Sequence, residues 1–72
     1  MTEENTVYMV TMYREGDFDV YLYRTEAAAN KRARILFEEA SGKRFSNWSN
    51  AQIWMDENEV NIEVTPEEVL ND

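Results

Sequence analysis

The sequence predicts an α+β domain: an antiparallel four-stranded sheet in the order ββαββ, with one helix packed on one face and a short C-terminal helix. Three observations lead there. A segment rich in Val, Tyr, Met and Thr and a second that alternates Phe18, Val20 and Leu22 with Asp19, Tyr21 and Tyr23 flank a glycine near the N-terminus. An alanine-rich stretch with start and stop signals follows, and a clean apolar–polar alternation occupies the last third.

Thr6 to Tyr13 reads as the first strand and Phe18 to Tyr23 as the second, joined by a turn at Arg14-Glu15-Gly16 in which Gly16 takes positive φ. Two registers are open. A three-residue loop pairs Val10 with Val20 and Met12 with Phe18. It gathers Tyr8, Val10, Met12, Phe18, Val20 and Leu22 on one face. A two-residue loop instead puts Thr11 and Tyr13 on the Phe18 face. The first is favoured because it separates apolar from polar. It leaves Val7, Met9, Thr11, Tyr13, Asp17, Asp19, Tyr21 and Tyr23 on the other face.

Thr25 is a good N-cap for a helix over Glu26–Ser41, and Gly42 fits the residue just past its end. Ala29, Ala33, Leu36, Phe37 and Ala40 form its apolar stripe. Residues 43–50 read as a loop or a short helical turn, Ala51 to Met55 as a third strand and Asp56-Glu57-Asn58 as a turn. Glu59 to Val64 alternates most clearly, with Val60, Ile62 and Val64 against Glu59, Asn61 and Glu63. Thr65-Pro66-Glu67-Glu68 carries helix-start signals: a Thr cap, Pro at the first position and Glu at the third. The 72 residues make one domain, with residues 1–5 and 71–72 as flexible ends. The order of strands in the sheet is not readable from pattern.

Composition excludes several classes. With no Cys and no His, disulfides, thiolate zinc sites and imidazole chemistry are ruled out. The only glycines are Gly16 and Gly42, so no glycine-rich phosphate loop exists. Asp56-Glu57-Asn58-Glu59 lacks the alternation and glycine of a calcium loop. Lys31, Arg32, Arg34, Lys43 and Arg44 cluster, but in a chain of net charge -8 they read as partners for local acids, such as Arg34 with Glu38, and not as a nucleic-acid surface. The acidic start Met1-Thr2-Glu3-Glu4-Asn5 is not a secretory signal, and Val7 to Tyr13 is far short of the ~20 residues of a membrane span. The expectation is a cytoplasmic protein that is not an enzyme and holds no metal or cofactor.

The charge is uneven. Residues 1–44 are nearly neutral, whereas residues 45–72 carry Asp56, Glu57, Glu59, Glu63, Glu67, Glu68 and Asp72 with no basic residue. Glu59, Asn61 and Glu63 on one strand face would be roughly 6–7 Å apart, about the spacing of phosphates along one DNA strand. Such a row could occupy a basic surface, or it could be a solvated outer face. With one helix to cover the sheet, a face bearing Tyr and Met either stays open to a partner or is covered by Trp48, Trp54 or the terminal segment.

The segments Val7-Tyr8-Met9-Val10, Val20-Tyr21-Leu22-Tyr23 and Thr25-Glu26-Ala27-Ala28-Ala29 give a layout similar to the host RNA polymerase inhibitor of lytic podophages. Anti-CRISPR and anti-restriction proteins share the small size, acidity and lack of Cys. The resemblance implies a phage-encoded inhibitor. The expected function is docking, in the manner of a DNA mimic, on a basic nucleic-acid-binding host protein, with no direct nucleic-acid or membrane contact. Asp56, Glu57, Glu59, Glu63, Glu67, Glu68, Tyr21, Tyr23 and Trp54 are the candidate partner-binding residues. The alternative is a self-associating module, a homodimer through the Tyr/Met-rich face or an exposed strand edge.

Overall fold

In the computed structural model, which describes residues 6–69, the N-terminal hairpin consists of β1 (Thr6–Arg14) and β2 (Asp17–Tyr23). Arg14 pairs with Asp17, so the loop is the two residues Glu15 and Gly16, at φ 51° and 90°. Positive φ at both positions is the signature of a type I′ turn, whose twist matches that of the flanking strands. This overturns the three-residue register. Phe18 lies opposite Tyr13, Val20 opposite Thr11 and Leu22 opposite Met9. Every side chain of β2 therefore faces opposite to the favoured expectation.

Helix α1 (Glu26–Ser41) forms where its signals place it. The Thr25 hydroxyl accepts the Ala28 N–H at 3.2 Å, and Gly42, left-handed at φ 72°, donates its N–H to the Glu38 carbonyl at 2.8 Å. Ala29, Ala33, Leu36 and Phe37 are buried, and the helix touches all three strands of the sheet. The small alanines let its backbone come close to β1.

The third expected strand is a helix. Trp48–Asn58 (α2) is capped by Asn47, whose side chain accepts the Asn50 N–H at 2.8 Å, and ends at Glu59, left-handed at φ 59°. Ala51 and Met55, four residues apart, are 1% exposed, while Ile53 between them is 58% exposed. Strand alternation would put all three on one face; helical spacing separates them. Asp56-Glu57-Asn58 is the last turn of this helix rather than a hairpin.

Strand β3 (Val60–Glu68) follows and pairs antiparallel with the other side of β1, giving the order β2-β1-β3. The sheet thus has three strands and there are two helices, not four strands and one. Val60 and Ile62 join Val10, Met12, Met55 and the α1 stripe in one core between the sheet and both helices. Each such side chain, fully buried, is worth ~1.5–3 kcal/mol. The expected helix start at Thr65–Glu68 is instead the end of β3, with Pro66 opposite Tyr8. Proline is tolerated there because β3 is an edge strand. The rest of that expected helix, from Leu70, lies outside the described residues, as do the ends at 1–5 and 71–72.

The helical reading of residues 48–58 makes an unequal pair of substitutions diagnostic. Met55→Ala should cost about 2–5 kcal/mol in denaturant unfolding, and Ile53→Ala less than ~0.5 kcal/mol. Comparable losses at the two positions would mean that they share a face.

Candidate protein-binding face

The register and the alternation of strand side chains sort the sheet into two faces. Tyr8, Val10, Met12, Tyr21, Tyr23, Val60, Ile62 and Val64 turn toward the helices and belong to the core or pack on it. The other face presents three rows. The edge strand β2 supplies Phe18, Val20 and Leu22, which are 61%, 48% and 62% exposed. The central strand supplies Val7, Met9, Thr11 and Tyr13, the first three half-buried by their neighbours. Strand β3 supplies Asn61, Glu63, Thr65 and Glu67.

Read across the strands, Tyr13 stands between Phe18 and Asn61, Thr11 between Val20 and Glu63, and Met9 between Leu22 and Thr65. The face therefore grades from apolar to acidic over two strand spacings, about 10 Å. Asn61 Nδ2 donates to Glu63 Oε2 at 3.2 Å, which orients that carboxylate along the row.

Both tryptophans lie with the helices and leave this face open. The Phe37 ring meets Trp54 edge-on at 5.7 Å and Phe45 at 6.0 Å, and Phe45 meets Trp48 at 4.8 Å. The loop that carries Phe45 is fastened by its N–H, which donates to Glu38 Oε2 at 2.8 Å. Glu38 thus serves the loop instead of the expected pairing with Arg34.

The candidate residues read from the sequence do not come together. Glu63 and Glu67 are on the open face. Glu59 is the left-handed residue ending α2 and is out of their row. Asp56 and Glu57 are exposed on the last turn of α2, where Asp56 Oδ1 accepts Gln52 Nε2 at 2.9 Å. Glu68, exposed, alternates to the helix side of β3. Trp54 is half-buried against the core. Tyr21 and Tyr23 also pack on the core side, where Arg32 Nε donates to Tyr23 Oη at 2.8 Å and the guanidinium lies 5.2 Å from the centre of the Tyr21 ring. The bond from Tyr23, reinforced by charge interaction with the same residue, holds the Arg32 guanidinium above its ordinary pKa. Sequence reasoning missed Phe18, Val20 and Leu22 as surface residues. The signal was Glu15-Gly16, a two-residue turn bracketed by Arg14 and Asp17.

Elsewhere the surface is shallow. A cleft of about 260 Å³ at the turn end of the hairpin is lined by Met12, Arg14, Asp17, Asp19 and Glu39 among others. Among the described residues, no group of three or more acidic, His or Cys side chains converges to hold a metal, and no helix is long and apolar enough to cross a membrane.

Because Phe18 and Leu22 contribute little to the core, Phe18→Thr and Leu22→Thr, which keep β propensity, should each change unfolding free energy by less than about 1 kcal/mol. A larger loss in thermal or denaturant unfolding would show that these side chains are covered. Comparison with known proteins finds no matching family model, no matching curated protein and no matching solved structure.

Proposed function

We propose that the protein is a non-enzymatic binding module that acts as an inhibitor by laying its open sheet face on a partner protein. The observation that carries this reading is the unbroken apolar row Phe18–Val20–Leu22, held in the open on a rigid three-stranded sheet. Apolar side chains grouped in this way on a small soluble domain mark interaction sites. The acidic row at Glu63 and Glu67, about 10 Å away across the strands, selects a partner surface with a basic strip beside an apolar one. Nucleic-acid-handling proteins present such basic strips, in keeping with the resemblance to phage inhibitors read from the sequence. The apolar row would supply anchors, and the acidic row steering and orientation.

The continuous acidic strip that would imitate a nucleic acid has no counterpart, since Glu59, Asp56, Glu57 and Glu68 stand off the Glu63–Glu67 row. The reading is therefore docking through a mixed face, with acids at one side only.

The test compares retention of cell-extract proteins by the immobilised chain and by two double variants. Phe18→Thr with Leu22→Thr should release the retained partner mainly through faster dissociation. Glu63→Lys with Glu67→Lys should slow association and weaken binding by about tenfold or more at low salt. Retention of the same proteins, equally well, by both variants would contradict the proposal.

A further inference from the structure

The two edges of the sheet are not alike. A two-residue turn closes on a hydrogen-bonded pair, here Arg14 with Asp17, and such pairs alternate along an antiparallel ladder. The backbone N–H and C=O groups of Phe18, Val20 and Leu22 therefore point away from β1, toward the outer edge. By the same alternation the outer edge of β3 belongs to Val60, Ile62, Val64, Pro66 and Glu68. Pro66 has no N–H to offer there, and Glu63, Glu67 and Glu68 charge the strand. These are the usual devices that blunt an edge. Strand β2 has no proline, no lysine and no bulge within Asp17–Tyr23, and its two carboxylates, Asp17 and Asp19, both sit on the helix side.

The edge also matches itself. If two copies of β2 run antiparallel about Val20, then Val20 faces Val20, and Phe18 of each copy faces Leu22 of the other. The side chains of those pairs share the open face. On the helix side, Asp19 faces the partner's Tyr21 and Asp17 the partner's Tyr23. That is where Arg32 sits, hydrogen-bonded to Tyr23 and stacked over Tyr21. Each Arg32 guanidinium would thus meet two carboxylates across the symmetry axis. A shift of two residues in one direction would instead set Asp19 against Asp19, which like charge disfavours. The local charge allows the approach. Around this edge Arg14, Arg24 and Arg32 offset most of the charge of Glu15, Asp17, Asp19 and Glu39, whereas most of the acids that make the chain strongly negative lie on α2 and β3.

We propose that two copies of the chain join β2 to β2 in an antiparallel pairing centred on Val20, forming one six-stranded sheet with Arg32 of each copy against Asp17 and Asp19 of the other. About six backbone hydrogen bonds close the pairing, two for each facing pair of Phe18, Val20 and Leu22. The inference uses the strand edge and stands independently of what docks on the open face. In the dimer the two apolar rows lie side by side at the centre of one continuous surface, with the acidic rows at its far margins.

Sedimentation velocity over a concentration series tests it. The wild type should move from the mass of one chain to that of two as concentration rises through the micromolar range. Val20→Pro removes an N–H that β1 does not use, so it should abolish the dimer while circular dichroism stays unchanged. Arg32→Glu should weaken dimerisation by about tenfold or more, and adding Asp19→Lys to it should restore most of the loss. If Val20→Pro disturbs the fold, the Arg32 and Asp19 exchange decides alone. A wild type that stays a single chain at every concentration would overturn the proposal, and so would a dimer indifferent to Arg32→Glu.

Discussion

The two-residue turn at Glu15 and Gly16 is the constraint on which the rest of the molecule depends. Strand side chains alternate with a period of two, so one residue more in this loop would invert the whole of β2. With the turn as it is, Tyr21 and Tyr23 lie under α1 and Phe18, Val20 and Leu22 face outward. Glu15 accepts a left-handed conformation to achieve this, which costs a non-glycine residue roughly 1–2 kcal/mol. The turn's match to strand twist and the packing of two tyrosine rings offset that cost.

How far the sequence could be read follows from the strength of local signals. Helix α1 was legible to the residue because its cap, its apolar stripe and its terminal glycine agree. The alternation of Val60, Ile62 and Val64 was equally clear. The hairpin register was not. Separating apolar from polar residues assumes that a sheet buries its greasiest side. Tyrosine defeats the assumption, because its ring can pack while its hydroxyl reaches a polar partner, as Tyr23 does with Arg32. Helix α2 was missed because Ile53 and Trp54 favour strands, and five residues cannot separate the two periods. Its real marker was Asn47, a capping residue inside what looked like a polar loop. At the candidate face, the central row of Val7, Met9, Thr11 and Tyr13 and the acid Glu63 were legible, whereas Glu67, expected in a helix start, reaches the face because β3 runs on to Glu68. The apolar edge row was hidden by the same register choice.

The charge pattern gains a spatial meaning from the topology. Because β3 lies on the far side of β1 from β2, the acidic last third of the chain is kept apart from the apolar edge. One margin of the sheet is blunted by Pro66 and carboxylates, and the other has no proline or bulge and sets Asp17 and Asp19 beside Arg14 and Arg32. Phe18, Val20 and Leu22, with Tyr13 beside them, gather four of the exposed large apolar side chains of the described residues on one face of the sheet. The proposed binding through the open face and the proposed pairing through the open edge would both use the same outward turn of β2.

The most direct measurement is the pattern of Hα–Hα nuclear Overhauser contacts across the hairpin. Such contacts arise between directly opposed residues of the non-hydrogen-bonded pairs, whose Cα atoms are ~4.5 Å apart. The structure requires them between Tyr13 and Phe18, Thr11 and Val20, and Met9 and Leu22. Contacts joining Met12 to Phe18 and Val10 to Val20 would instead place Phe18, Val20 and Leu22 beneath the helices and contradict the open face.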